Sequence, residues 1–125
     1  MKLRDQVAIV TGGGRGIGKA TALRLSREGC SVVLAARTQR EIEATAEGIT
    51  KARREALAVT ADVRSREQME RLVEECVTRF GRIDILVNNA GVGFRKPLVE
   101  TSEAEWRETI DTNLTGKFLC TRAVL

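Results

Sequence analysis

A glycine-rich segment near the amino terminus carries the first pattern with a chemical meaning. Residues 11–18 read T-G-G-G-R-G-I-G and separate an apolar run from a helical pattern. A helix that begins among glycines offers free backbone N–H groups and the positive end of its dipole, with no side chain to accept the hydrogen bonds. Because glycine also lets a ligand approach the backbone closely, the segment predicts a turn that binds phosphate groups.

Two other interpretations of this segment stay open on its residues alone. A glycine cluster can be no more than a flexible turn. Gly13 to Gly18 followed by Lys19 also resembles the phosphate-binding loop of nucleoside triphosphatases, but Ala20 stands where that loop has a Mg²⁺-binding hydroxyl group. The location between a predicted strand and a predicted helix favours a dinucleotide-binding turn.

The end of the second apolar run predicts which dinucleotide binds. Folds that bind NAD place an acidic residue about 20 positions beyond the glycines, where it binds the ribose hydroxyl groups. In this chain the run ends Ala36-Arg37-Thr38, so a guanidinium group is available to a 2′-phosphate and no carboxylate repels it. We therefore expect NADP(H) as the cofactor, with Arg15 contacting the same phosphate; the alternative is that either arginine is simply solvated.

The rest of the chain alternates apolar runs with helical patterns. Strands are predicted at residues 6–11, 31–36, 56–61 and 83–87. Helices are predicted from about Ile17 through Ala20 and Leu23 to Gly29, from 38 to about 54, from 65 to 80, and from about 102 through 118. The pairs Thr38 and Glu41, Ser65 and Gln68, and Ser102 and Glu105 match the capping box. Only the first helix would then lack a side-chain cap.

This alternation predicts an α/β fold with helices on both faces of a doubly wound parallel sheet of the Rossmann-like type. No strand is predicted after the fourth run, and residues 121–125 lie in an apolar helical pattern without a residue that ends a helix. We therefore expect the fold to be truncated after about four strands. Residues 1–125 would be the N-terminal dinucleotide-binding part of a single Rossmann domain, without its catalytic and substrate-binding half.

Composition excludes several other kinds of site. The chain has no His and no Tyr, which excludes histidine-based metal sites and Ser-His-Asp catalysis, and we expect no metal site. Its three cysteines lack C-x-x-C spacing and are expected to be reduced thiols that fill the core, which favours a cytoplasmic protein. The chain contains no run of 18 apolar residues, so we expect no membrane partner. Its aromatic content of 3% argues against nucleic-acid binding.

Four short motifs together resemble the short-chain dehydrogenase/reductase family. They are the spacing T-G-x-x-x-G-x-G at residues 11–18, Asp62-Val63 after the third strand, Asn88-Asn89-Ala90-Gly91 directly after the fourth strand, and Asn113-Leu114-Thr115-Gly116 in the last helix. Within the family, the chain looks most like the 3-oxoacyl-acyl-carrier-protein reductases and related carbonyl reductases.

The resemblance implies a set of cofactor-binding residues and one catalytic residue. The cofactor-binding residues would be Thr11, Gly12, Gly14, Arg15, Gly16, Ile17, Gly18, Arg37, Thr38, Asp62, Val63, Asn89, Ala90 and Gly91. Asp62 would bind the adenine amine with Val63 beside the ring, and residues 89–91 would pass behind the adenosine ribose. Asn113 would be catalytic, holding a water molecule in the proton relay behind the active-site lysine.

The resemblance also implies an activity, NADP(H)-dependent transfer of hydride between nicotinamide and a carbonyl or secondary alcohol. The substrate would be a small molecule or an acyl-carrier thioester, and the whole protein would be a homo-oligomer, either a dimer or a tetramer. The family's chemistry needs a Ser, a Tyr and a Lys four residues after the Tyr, and none of these can be placed in this chain. We therefore expect the chain alone to be inactive; the alternative is a non-catalytic NADP-binding or interaction module.

Overall fold

The computed structural model describes all 125 residues, arranged as a parallel sheet with helices on both faces. The strands are β1 (Val7–Thr11), β2 (Ser31–Ala36), β3 (Ala56–Thr60) and β4 (Ile85–Val87). The helices are α1 (Gly16–Arg27), α2 (Gln39–Lys51), α3 (Arg66–Phe80), α4 (Glu103–Ile110) and α5 (Gly116–Val124). A short 3₁₀ helix (Leu98–Glu100) precedes α4, and a π-helical turn (Asp111–Thr115) joins α4 to α5. None of these helices combines the length and the apolar character that a membrane crossing requires.

The four strands pair in parallel in the order β3-β2-β1-β4. The register of β1 against β2 puts Val7 opposite Ser31 and Thr11 opposite Ala35. Because all the strands run in one direction, their carboxyl ends meet at the same edge of the sheet, which is where ligands bind in open α/β sheets. The arrangement confirms the doubly wound, Rossmann-like α/β fold that the sequence predicts.

Both faces of the sheet are buried, which is why β1 and β2 show no alternation of polar and apolar residues. On one face, alternate strand side chains pack against α3 and α5, where Met69, Leu72 and Cys120 are buried. On the other face, the remaining strand side chains pack against α1 and α2, where Ile42 and Ile49 are buried. The core therefore consists of two layers, one on each side of the sheet.

The buried residues of α1 are not the residues of its apolar pattern. Ile17 is 79% exposed and Ala20 is also exposed, whereas the buried residues of the helix are Gly18, Ala22 and Ser26. These three residues have small side chains, so the helix backbone lies close to the sheet. Of the predicted apolar stripe, only Leu23 packs against the core, so apolarity indicates the buried face of this helix only in part.

Two of the three predicted helix caps are at least partly confirmed. Ser102 and Glu105 form a complete capping box at the start of α4. The Ser65 hydroxyl group accepts from the Gln68 N–H at the start of α3, but the Gln68 side chain accepts from the Asp62 N–H instead of returning to Ser65. This second cap therefore also fixes the segment that follows β3.

The predicted cap at the start of α2 is wrong. The Thr38 side chain makes no capping hydrogen bond. The N–H of Glu41, from which that hydroxyl group would accept, donates to the Thr38 carbonyl oxygen at 3.2 Å instead. Like α1, α2 therefore begins without a side-chain cap.

The last predicted helix contains a π turn that the sequence pattern did not predict. The Gly116 N–H donates to the carbonyl oxygen of Asp111, five residues earlier, which widens the helix there. A Cβ atom at Gly116 would lie 2.6 Å from Val63 Cγ2. Glycine at this position thus lets α5 pack directly on the segment after β3.

The cysteines fill the core as the sequence predicts. Cys30, Cys76 and Cys120 are free and buried. Burial raises the pKa of the Cys76 and Cys120 thiols to about 11. Thiols in such surroundings stay protonated and pack as small apolar groups.

Candidate functional site

A cavity of about 340 Å³ opens at the edge of the sheet where the four strands end. Of its 17 lining residues, 11 belong to the predicted cofactor-binding set. These are Gly12, Gly14, Arg15, Gly16, Arg37, Thr38, Asp62, Val63, Asn89, Ala90 and Gly91. The fold therefore brings together, in one cavity, the segments that follow all four strands.

Four predicted site residues do not line the cavity: Thr11, Ile17, Gly18 and Asn113. Thr11 and Gly18 are buried behind the glycine turn, and Ile17 lies on the exposed side of α1. Asn113 lies behind the loop after β4, where its side chain contacts Val92. These residues are adjacent to the cavity and support its walls.

The glycine turn leaves the amino end of α1 open on one side and closely packed on the other. Gly16, where the helix begins, has a φ of +57°, and nothing lies within 4 Å of the position a Cβ atom would take. At Gly18 a Cβ atom would collide with the Gly12 carbonyl oxygen and the Asn89 side-chain amide. Arg15 gives the helix no side-chain cap. Such a helix end can bind an anion on its backbone N–H groups.

Thr11 and Asn89 hold the glycine turn against the loop after β4. The Thr11 hydroxyl group accepts from the N–H groups of Asn89 and Ala90, both at 3.0 Å. The Asn89 side-chain amide donates to the Gly12 carbonyl oxygen at 3.1 Å. Because both loops are fixed in this way, Thr11 determines the shape of the cavity without lining it.

Two arginines give the cavity a cationic side. Arg15 is exposed and forms no ion pair, whereas Arg37 has one ionic partner, with its Nη1 atom 3.7 Å from Oε1 of Glu108. Glu41 also lines the cavity. The site therefore carries fixed charges of both signs at the end of β2.

The Asp62 carboxylate is held by Arg64. Arg64 donates from Nη2 to Oδ2 at 2.7 Å, from Nε to Oδ1 at 3.1 Å, and from its backbone N–H to Oδ1 at 2.9 Å. The hydrogen bond from the Arg64 side chain is the main reason that the pKa of Asp62 lies below its ordinary value. The carboxylate is therefore ionised and fixed in the cavity wall after β3.

Asn113 lies in the π turn, where its side chain pairs with the backbone of Val92. Oδ1 accepts from the Val92 N–H at 2.8 Å, and Nδ2 donates to the Val92 carbonyl oxygen at 2.8 Å. Nearby, Lys117 Nζ donates to the Ala90 carbonyl oxygen at 3.4 Å. The oxygen and the nitrogen of the Asn113 side-chain amide thus both help to fix the loop after β4 to the last helix.

Six lining residues were not predicted from the sequence: Ala35, Ala36, Glu41, Ala61, Val92 and Thr112. The alanines stand at the ends of β2 and β3, and small residues just before Arg37 and Asp62 were a usable signal of space for a ligand. Glu41 matches a capping box in the sequence, which gives no indication of the cavity. Thr112, whose buried hydroxyl group has no hydrogen-bond partner, carries no signal because only the π turn brings it to the cavity.

A parallel sheet with helices on both faces, a cavity at its carboxyl edge and a glycine turn at the first helix define a Rossmann-like protein of the nucleotide-binding class. The sequence profile of the short chain dehydrogenase family matches residues 6–125. The chain belongs to this family, which confirms the resemblance that its motifs indicate.

Several curated relatives are similar along almost the whole chain. A 3-oxoacyl-[acyl-carrier-protein] reductase of Synechocystis is 44% identical over 98% of the chain and 50% of its own length. A subunit of the (2S)-[(R)-hydroxy(phenyl)methyl]succinyl-CoA dehydrogenase of Thauera aromatica is 40% identical over 99% of the chain and 50% of its own length. The chain thus spans about half the length of the curated relatives it matches.

Solved structures give the same result for the fold. A metagenomic short-chain oxidoreductase in complex with NADP is 40% identical, with a TM-score of 0.91 over 98% of this chain and 56% of that one. A citronellol catabolism dehydrogenase of Pseudomonas aeruginosa is 37% identical, also with a TM-score of 0.91, over 98% of this chain and 50% of that one. The chain thus shares its fold with solved dehydrogenases and oxidoreductases, one of which is in complex with NADP.

Proposed function

We propose that residues 1–125 are the dinucleotide-binding part of an NADP(H)-dependent oxidoreductase that acts on a carbonyl or a secondary alcohol. The observation that carries this proposal is the cavity at the carboxyl edge of the sheet, where the uncapped amino end of α1 lies beside Arg15 and Arg37. When bound, the nicotinamide ring supplies or accepts the hydride. The similarity of the chain to a 3-oxoacyl-[acyl-carrier-protein] reductase supports an acyl-thioester substrate.

The glycine turn fits the pyrophosphate of such a cofactor. The space beside Gly16 that no side chain fills, and the first N–H groups of α1, would receive the phosphate oxygens. Gly12 and Gly14 line the same side of the cavity, and Ile17 would contribute its backbone N–H group. Gly18 would act indirectly, because its lack of a Cβ atom lets α1 begin close to the end of β1.

The residues after β2 and β3 fit the adenosine end of the cofactor. Arg37 would bind a 2′-phosphate beside Thr38, and no acidic residue follows β2 directly to bind ribose hydroxyl groups instead. Asp62, fixed by Arg64, would accept a hydrogen bond from the adenine amine with Val63 beside the ring. The backbone of residues 89–91 would pass behind the ribose.

For Asn113 we propose a positioning role in the active site. Its side chain makes two hydrogen bonds to Val92, so it would keep the loop after β4 in place. The second N–H of Nδ2 and the second lone pair of Oδ1 would stay available to a water molecule. The π turn that carries Asn113 is of a kind that is common at functional sites.

Binding titrations of the chain with NADPH and NADH test the cofactor proposal. We expect the wild type to bind NADPH more tightly, because a guanidinium group makes charge-assisted hydrogen bonds to a phosphate. Arg37→Glu should remove that preference, since it deletes these bonds and adds a charge that repels the phosphate.

A charge-matched control is Arg27→Glu, at the other end of α1 and away from the cavity. It should leave the ratio of the two dissociation constants unchanged. Equal affinity of the wild type for NADPH and NADH would contradict the cofactor proposal. Tight binding of Mg-ATP would support the phosphate-binding-loop interpretation instead, although Lys19 does not line the cavity.

The catalytic groups of the proposed enzyme would lie in the part of the protein that follows these residues. Reading the coding sequence past Leu125 for a Ser and then a Tyr-x-x-x-Lys motif tests this directly. Without that motif, the second candidate becomes the better one, a non-catalytic NADP-binding or interaction module.

A further inference from the structure

Arg37 has a protein partner that the proposed cofactor would have to compete with. Its Nη1 atom lies 3.7 Å from Oε1 of Glu108, which is on α4 and does not itself line the cavity. The two side chains are half-buried, with 49% and 34% of their surface exposed. The pair thus bridges two elements that are far apart in the sequence.

Among the acidic groups around the cavity, Glu108 is the one that pairs with Arg37. The Asp62 carboxylate is occupied by Arg64 through both oxygen atoms. Glu41 lines the cavity, but its side chain forms no ion pair. Glu108 is therefore the charge that most directly affects what Arg37 can bind.

We infer that Glu108 is a specificity-determining residue that weakens the preference of this site for a 2′-phosphorylated dinucleotide. The inference rests on the proposed function, in which Arg37 binds the 2′-phosphate. A phosphate group that reaches Arg37 either displaces the Glu108 carboxylate or stays close to it, and in both cases the carboxylate lowers the affinity. A nucleotide with a free 2′-hydroxyl group meets no such repulsion.

Adenosine 2′,5′-bisphosphate and 5′-AMP are suitable probes, because they differ only in the 2′-phosphate and are bound without any reaction. Their dissociation constants are measured by calorimetric titration of the full chain. Glu108→Gln keeps the size and hydrogen-bonding capacity of the side chain and removes its charge. We expect it to tighten binding of the 2′,5′-bisphosphate roughly two- to fivefold, the range in which partly exposed ion pairs contribute. Binding of 5′-AMP should not change.

Glu103→Gln is the matched control, because it removes one negative charge from the same helix at a position where the carboxylate is 92% exposed and pairs with Arg107. It should leave both dissociation constants unchanged. An equal improvement in Glu103→Gln and Glu108→Gln would overturn the inference, since it would mean that only the net charge matters.

The double variant Arg37→Ala with Glu108→Gln separates a direct effect from a structural one. If Glu108 acts through Arg37, the gain from Glu108→Gln should disappear in the Arg37→Ala background. A gain that persists there, or no gain in the wild-type background, would overturn the inference. If Arg37→Ala alone fails to weaken binding of the 2′,5′-bisphosphate, the proposed cofactor preference itself fails. If Arg37→Ala weakens that binding and Glu108→Gln has no effect, only the role of Glu108 is lost.

Discussion

At the scale of single residues, the two glycines Gly18 and Gly48 show how the same residue type serves different purposes. Each lies within a helix, where glycine costs about 0.5–1 kcal/mol relative to alanine. A Cβ atom at Gly18 would collide with the Gly12 carbonyl oxygen, whereas nothing lies within 4 Å of a Cβ atom at Gly48. Gly18 is therefore required by packing behind the cavity, and Gly48 is not.

This contrast predicts opposite effects of one substitution. Gly18→Ala should lower the free energy of unfolding by about 1–3 kcal/mol, because α1 must move away from the end of β1. Gly48→Ala should raise it by about 0.5–1 kcal/mol, because alanine is the better helix former and meets no neighbour. Urea denaturation of both variants beside the wild type measures the two changes. Equal changes of the same sign would show that the close packing at Gly18 is not what constrains that position.

At the scale of elements, the capping box of α4 makes stability depend on pH. Glu105 accepts from Lys96 Nζ and from the Ser102 N–H, each at 3.0 Å. The Lys96 hydrogen bond, with the smaller effect of Ser102, lowers the pKa of Glu105 from its ordinary value of 4.5 to about 2. A lowered pKa in the folded state means that the ionised carboxylate stabilises the fold. That contribution is complete above pH 4.5 and is lost as the pH falls towards 2.

Glu105→Gln should therefore have a lower Tm than the wild type at pH 7, since glutamine can still accept from the Ser102 N–H but carries no charge for Lys96. The difference in Tm should shrink steadily as the pH falls below 4.5. Thermal unfolding followed by circular dichroism between pH 7 and pH 3 measures it, with Glu103→Gln as the control in the same helix turn. A difference in Tm that stays constant with pH would contradict the ionic contribution.

How far the sequence predicts the elements depends on whether a pattern is local. Strands β1 and β2 are predicted to within one residue. An apolar run that is rich in β-branched residues indicates a strand buried on both faces without information from distant parts of the chain. The residues after the strands are also predicted, since parallel strands bring them to one edge. The π turn is a tertiary feature, because it depends on Gly116 packing against Val63 and on Asn113 bonding to Val92.

A weak signal of the π turn was nevertheless present. Apolar residues recur every four positions at Trp106, Ile110, Leu114 and Phe118, a spacing that drifts around an α-helix of 3.6 residues per turn. A wider turn in the middle of the helix reduces this drift and keeps the side chains nearer to one face. The contact between Arg37 and Glu108 had no such signal, because it joins two elements that only the complete fold brings together.

At the scale of the whole molecule, one exposed surface carries three large apolar side chains. Trp106, Leu114 and Phe118 are 56%, 65% and 57% exposed, and they lie on α4, the π turn and α5. Exposed apolar groups that lie close together commonly mark sites of association. We propose that this surface forms the contact between subunits of the oxidoreductase.

The chain should consequently self-associate through this surface, and a charge introduced on the surface should prevent that. Phe118→Lys is expected to shift the chain towards the monomer in sedimentation velocity at micromolar concentration, because burying an unpaired ammonium group in an apolar contact is unfavourable. Val77→Lys is the matched control, since Val77 is a partly exposed apolar residue of α3, 45% exposed and outside this surface. It should sediment like the wild type. A wild-type chain that is monomeric at these concentrations, or equal behaviour of the two variants, would mean that the contact between subunits lies elsewhere.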